Sequence, residues 1–111
     1  MMILKIFSAL ATIATGFYSL VAPLKVREFT GLELPGGRGI TEVRAILGGF
    51  FIALGAAPLV FGSVDMYLML GIAYLLVGLV RGVSMFADRS VVRSNLISLG
   101  VELVLGVILV L

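Results

Sequence analysis

The run AILGGFFIALGAAPLVFGSV, residues 45–64, decides the fold, because it extends over 20 residues without a charged side chain. A helix needs about 20 apolar residues to cross a hydrocarbon core of about 30 Å. Inside lipid, every backbone N–H and C=O group must be bonded within its own segment, which favours a helix over an open strand. This stretch therefore predicts one membrane-spanning helix.

Three further runs have the same character. Residues 6–24 contain no charge, residues 66–87 are interrupted only by Arg81, and residues 94–111 are interrupted only by Glu102. The sequence therefore predicts an all-α integral membrane protein with a four-helix, up-down transmembrane bundle. We expect one transmembrane domain over residues 1–111, with spans near residues 3–22, 41–62, 66–87 and 92–111.

The composition agrees with a membrane protein and excludes several kinds of site. Of the residues, 61% are hydrophobic and 13% are charged, whereas a soluble domain carries about 25% charged residues. The chain contains no Cys, His or Trp, which excludes disulfides, Cys/His zinc sites, the usual haem ligands and a Ser-His-Asp triad. We expect no cofactor, no metal, no nucleic-acid partner and no enzyme activity. An intramembrane enzyme would have to use Glu102 or a Tyr as its general acid or base.

Residues that commonly begin or end helices lie at the borders of these spans. Pro23 follows the first predicted span and is predicted to end it, because proline cannot continue a helix cleanly. Thr41 is predicted to cap the second helix and Asp65 the third, because their side-chain oxygens can accept the unpaired N–H groups of a first turn. Asp88 or Ser90 is predicted to cap the fourth helix.

The connection between the first two spans, residues 23–41, is the only sizeable polar stretch. Its spaced apolar side chains predict a short amphipathic segment resting on the membrane surface. The sequence PGGRG, residues 35–39, predicts a flexible turn. Because it lacks the GK[ST] ending of a phosphate-binding loop, we do not expect such a loop here.

The distribution of Lys and Arg predicts the orientation of the chain in the membrane. In a four-span chain the first and third connections lie on the same side, and they carry Lys25, Arg27, Arg38, Arg89 and Arg93. Lys5 stands alone near the opposite side. Because Lys and Arg are enriched in cytoplasmic loops, we expect both termini to lie outside the cytoplasm, in a bacterial plasma membrane.

Small residues recur at helical spacing within the spans. Gly48 lies on one face of the second span, and Gly49 and Ala53 lie on another. Gly78 and Gly82 repeat the spacing of four residues in the third span. Small residues at this spacing let helix backbones approach closely in a membrane. We therefore expect these five residues to pack against neighbouring helices or a second copy. The alternative is a polar cavity between the helices.

Three charged residues interrupt the spans, namely Arg44, Arg81 and Glu102. At about 1.5 Å per residue, they lie about 5, 9 and 15 Å from the predicted cytoplasmic ends of their helices. A charge at mid-membrane costs at least about 2.5–3.5 kcal/mol, so it should be paired. The third and fourth spans should be neighbours because their connection is short. We therefore predict an Arg81–Glu102 ion pair with Arg44 near it.

Two interpretations of this cluster stay open. In the first, the ion pair fixes the register of the helices, and removing one partner leaves the other charge unpaired. In the second, Glu102 is a proton or cation site and the arginines bind an anion or a lipid headgroup. Tyr74 shares a stripe with Arg81 and is a further candidate for that ligand site.

Three motifs resemble a family of small bacterial four-span proteins. They are TEVRAILGGFFIALG at residues 41–55, LVGLVRGVSMFADRS at residues 76–90, and the ELVLG that begins at Glu102. The family is known only as a domain of unknown function, number 4345. The resemblance implies that Arg44, Gly48, Gly49, Arg81 and Glu102 correspond to family positions, and it leaves the function open.

These observations favour a non-catalytic membrane protein that acts through helix packing in the bilayer. It would be an accessory or assembly subunit, or a homo-oligomer, surrounded by membrane lipids. The alternative is a protein that binds or transports a lipid, quinone or small amphiphile at a polar interior containing Arg81 and Glu102. Small multidrug transporters have a similar length and four spans, but they carry a carboxylate in the first span, and this chain has none there.

Overall fold

The computed structural model describes residues 1–111 and contains helices but no strands. The helices are α1 (Met2–Val21), α2 (Pro23–Thr30), α3 (Gly36–Glu42), a π-helical segment (Val43–Phe50), α4 (Phe51–Phe61), α5 (Val64–Ala87) and α6 (Arg93–Val110). Four helical stretches are long and apolar enough to cross a membrane, and they are Met2–Val21, Gly36–Phe61, Val64–Ala87 and Arg93–Val110. The predicted all-α class and the four spans are confirmed.

The chain divides into two compact units. One unit contains Met1–Ser8 and Ser63–Leu111, and the other contains Ala9–Gly62. The single transmembrane domain expected from the sequence stays a prediction.

In the Ala9–Gly62 unit, glycines bring α1 close to the second span. A Cβ atom added at Gly16 would lie 2.7 Å from the carbonyl oxygen of Gly48, and one added at Gly55 would lie 2.5 Å from that of Ala9. Real side chains cannot approach backbone atoms so closely. These contacts therefore depend on glycine, as expected where helices pack without a hydrophobic driving force.

The π-helical segment aligns two of the buried residues of the second span. The buried residues are Val43, Gly48, Gly55 and Pro58. Val43 and Gly48 are five residues apart, the spacing that aligns residues in a π-helix, whose hydrogen bonds join residues i and i+5. Gly49 and Ala53, predicted to pack, are instead exposed. The prediction of packing within the chain is therefore wrong for these two residues.

The second span also begins earlier than predicted. Thr41 lies inside α3 rather than at its N-cap, and the N-cap residue is Pro35. Residues 36–39, expected to be a flexible turn, form the first turn of this helix. Arg38 and Glu42 form an ion pair one turn apart, which favours the helical conformation of this glycine-rich stretch.

The first span ends as predicted, since α1 stops at Val21 and Pro23 begins α2. Proline is suited to this first position because the N–H it lacks would be unpaired there. The segment predicted to be amphipathic is α2, which buries Pro23 and Val26 and exposes Leu24 and Phe29. It ends at Gly31, whose φ of +77° places it in the left-handed region.

The predicted caps of the last two spans are wrong. Ser63, not Asp65, is the N-cap residue of α5, and Asp65 lies in the first turn. Its carboxylate is still favourable there because the helix dipole is positive at that end. The N-cap residue of α6 is Val92, so neither Asp88 nor Ser90 caps it. Both belong to a loop closed by backbone bonds, in which the Ser90 N–H donates to the carbonyl of Met85 at 2.9 Å.

In the other unit, α5 and α6 form an antiparallel hairpin. A Cβ at Gly71 would lie 2.7 Å from Cβ of Leu109, and one at Gly78 would lie 3.0 Å from Cδ2 of Leu103. A Cβ at Gly82 would have only one neighbouring atom within 4 Å, Cδ1 of Leu99 at 4.0 Å. Gly78 is therefore part of a close helix contact, whereas Gly82 lies where the helices are less tightly packed.

We predict that Gly55→Ala destabilises the protein, because the added methyl group would meet the backbone of α1. Overpacking of this kind costs about 1–3 kcal/mol. Gly100→Ala is the matched control, since nothing lies within 4 Å of the added Cβ. Thermal unfolding in detergent, followed by circular dichroism, should show a lower midpoint for Gly55→Ala only. Equal midpoints for both variants would contradict the close contact.

Candidate functional site

The candidate site is a polar network between α5 and α6. Arg81 donates from Nε to Oε1 of Glu102 at 2.8 Å and from Nη2 to Oε2 at 2.8 Å. This two-point contact matches the planar guanidinium to the carboxylate. The Glu102 residue is 9% exposed. The charge that would be most costly in lipid is therefore neutralised by its neighbour.

The network continues toward the loop between the two helices. The Nη1 atom of Arg81 donates to Oδ1 of Asn95 at 3.0 Å, and Nδ2 of Asn95 donates to the carbonyl oxygen of Ser90 at 2.9 Å. Asn95 was not among the site residues predicted from the sequence. Its signal was the spacing of seven residues from Glu102, which places both on one face of α6.

The other two predicted members of the cluster are Arg44 and Tyr74. Arg44 is exposed and belongs to the Ala9–Gly62 unit, where its Nε donates to the carbonyl oxygen of Leu20 at 3.1 Å. This carbonyl is in the last turn of α1, where the helix dipole favours a cation. Arg44 thus has a backbone partner, and the ion pair contains Arg81 and Glu102 alone. Tyr74 is half-buried on α5.

An open cavity of about 660 Å³ lies beside this network. Ligand sites have volumes of about 300–1,000 Å³. One part of the cavity is apolar, with Ala73, Leu76, Val77 and Val80 on one face of α5. The other part lies at the C-terminal end of α5 and contains all the polar lining residues together with Met85; the polar ones are Arg81, Ser84, Asp88, Ser90 and Asn95. The cavity therefore has an apolar wall and a polar end.

The cavity itself was not predicted from the sequence. The polar residues at its end are far apart in the chain, and only the hairpin brings Asn95 toward Arg81. The spacing of Arg81, Ser84 and Asp88 by three and four residues indicated a shared helix face. That pattern does not show whether a neighbouring helix covers the face or leaves a cavity.

A family model described as Domain of unknown function (DUF4345) matches residues 1–111. The chain belongs to this family. The resemblance found in its motifs is thus confirmed over its whole length. No curated protein and no solved structure matches the chain.

We predict that Glu102→Gln destabilises this DUF4345 protein, because it leaves the Arg81 cation without a counter-charge. Breaking a buried pair in this way costs about 3–5 kcal/mol. The double variant Arg81→Met with Glu102→Met should recover much of the loss, since it removes both charges. Chemical or thermal unfolding in detergent would measure the stability of the unmodified protein, of Glu102→Gln and of the double variant. A double variant less stable than Glu102→Gln would show that the charges are not coupled.

Proposed function

We propose that this protein binds a membrane amphiphile in the cavity beside α5, with the polar head at the Arg81 network. The observation that carries the proposal is the division of the cavity into an apolar wall and a polar end. A lipid, a quinone or a similar amphiphile has the same division along its length. We propose no catalytic role, because the Glu102 carboxylate is held by two hydrogen bonds from Arg81 and is not placed as an activated acid or base.

The depth of the network supports this proposal. Arg81 lies six residues before the end of α5, which corresponds to about 9 Å along the helix axis. Asp88 follows the last helical residue. We propose that the protein lies in a bacterial plasma membrane with both termini outside the cytoplasm. The polar end of the cavity then lies near the cytoplasmic headgroup region, and the apolar wall extends toward the centre of the bilayer.

We predict that Val77→Trp reduces the amount of amphiphile retained, because the indole would fill the apolar part of the cavity. Val83→Trp is the matched control, since Val83 lies on the same helix, is exposed and does not line the cavity. Native mass spectrometry after mild detergent extraction would count the retained molecules. Equal retention by both variants, or none by the unmodified protein, would overturn the proposed function.

A second proposed function is assembly with another membrane protein or a second copy of the chain. The observation in its favour is an exposed stripe of small residues, Ala45, Gly49 and Ala53, spaced four residues apart. The stripe is not used in the close contact with α1, which involves Gly48 and Gly55. Spacing of this kind is typical of helix faces that associate in membranes.

We predict that Gly49→Leu with Ala53→Leu abolishes association through this stripe, because the larger side chains keep a second helix at a distance. Gly100→Leu changes an exposed glycine on α6 and serves as the control. Chemical crosslinking in native membranes would measure the association. If the unmodified protein gives only uncrosslinked monomers, the proposed assembly function is wrong. The proposal of amphiphile binding does not depend on that result.

A further inference from the structure

The formal charges at the polar end of the cavity restrict the headgroup that it can accept. Arg81 is neutralised by Glu102 at two points. Asp88 is exposed at the cavity and forms no ion pair. Arg89 and Arg93 belong to the same loop region but do not line the cavity. The lining itself carries one cation, Arg81, which Glu102 neutralises from outside the cavity, and one carboxylate, Asp88, which has no counter-ion. Asp88 therefore favours a headgroup that carries a cation.

The hydrogen-bond donors of the same region require acceptors from the ligand. Arg81 has five N–H donors, and three of them bond to Glu102 and Asn95. Two donors, one on each terminal nitrogen, are left for a ligand. The Ser84 hydroxyl lies one turn further along α5 and also lines the cavity. This donor set fits the oxygens of a phosphate.

The spacing of donors and acceptor matches a headgroup with adjacent opposite charges. Ser84 and Asp88 are four residues apart, or about 6 Å along the helix axis. The backbone N–H of Asp88 donates to the Ser84 carbonyl at 2.7 Å, which fixes Asp88 at the end of the helix. A phosphate at Arg81 and Ser84 thus places a neighbouring cation within reach of the Asp88 carboxylate.

The type of cation follows from the residues that are missing from the lining. Quaternary ammonium groups are recognised by aromatic side chains through cation–π contacts. No aromatic residue lines this cavity. A primary ammonium group has three N–H donors and can hydrogen-bond directly to a carboxylate. The chemistry of the site therefore favours a primary amine over a trimethylated one.

We infer that the cavity selects a phosphoethanolamine lipid, with the phosphate at Arg81 and Ser84 and the ammonium group at Asp88. This inference rests on the proposed amphiphile-binding function and specifies its ligand. The preference should be modest, because an ion pair at an exposed carboxylate is weak.

The test uses the full chain in detergent with equal amounts of phosphatidylethanolamine, phosphatidylcholine and phosphatidylglycerol, and native mass spectrometry of the retained lipid. Phosphatidylcholine shares the phosphate but lacks the N–H donors, and phosphatidylglycerol lacks the amine. We expect phosphatidylethanolamine to be retained preferentially. Asp88→Asn should reduce that preference about two- to fivefold. Asp65→Asn, which changes an exposed acid away from the cavity, should leave it unchanged.

The outcomes separate the two proposals. Equal retention of the three lipids, preferential retention of phosphatidylglycerol, or equal effects of Asp88→Asn and Asp65→Asn would overturn the headgroup assignment. If Val77→Trp still displaces lipid in such a case, amphiphile binding stands without this selectivity. If the unmodified protein retains no lipid, both proposals are wrong.

Discussion

The neutralisation of Glu102 by Arg81 is the interaction on which the α5–α6 hairpin depends. Each of these charges interrupts a helix that is otherwise apolar, and an unpaired charge is costly in a bilayer. The two-point contact restricts how far one helix can slide along the other, because a shift of one turn moves the groups about 5.4 Å apart. The glycine contacts at Gly71 and Gly78 occur in the same register. Charge and close packing therefore specify the same alignment.

Packing in this protein uses small residues because lipid removes the usual advantage of burying large ones. Large apolar side chains are exposed along the spans, among them Val60 at 76% and Phe86 at 79%. In water such a surface would be unfavourable, but acyl chains solvate it. Close backbone approach and hydrogen bonds then decide which helix faces meet. This explains why glycines, rather than leucines, occupy the tightest contacts of both units.

The spans could be predicted from the sequence because they depend on a property of each segment alone, the length of its apolar run. The pairing of Arg81 with Glu102 could also be proposed, since the high cost of a charge in lipid leaves few alternatives. The choice between Gly48 and Gly49 could not be predicted, because small residues recur at helical spacing on two different faces of the second span, and spacing alone does not show which face meets α1. The cap of α6 could not be predicted either, because backbone hydrogen bonds, rather than the side chain of Asp88 or Ser90, close the loop before this helix.

The structural and ligand-binding interpretations of the Arg81 network do not exclude each other. A guanidinium can form two parallel bonds to a carboxylate and still have donors on both terminal nitrogens. Because Glu102 already balances its charge, a ligand at those donors does not need a full negative charge of its own. The Arg81–Glu102 pair differs in this respect from an anion site, in which an unpaired arginine would attract any phosphate equally. In the proposed site, a balanced pair beside a single carboxylate without a counter-ion would instead discriminate between headgroups by the cation that they carry.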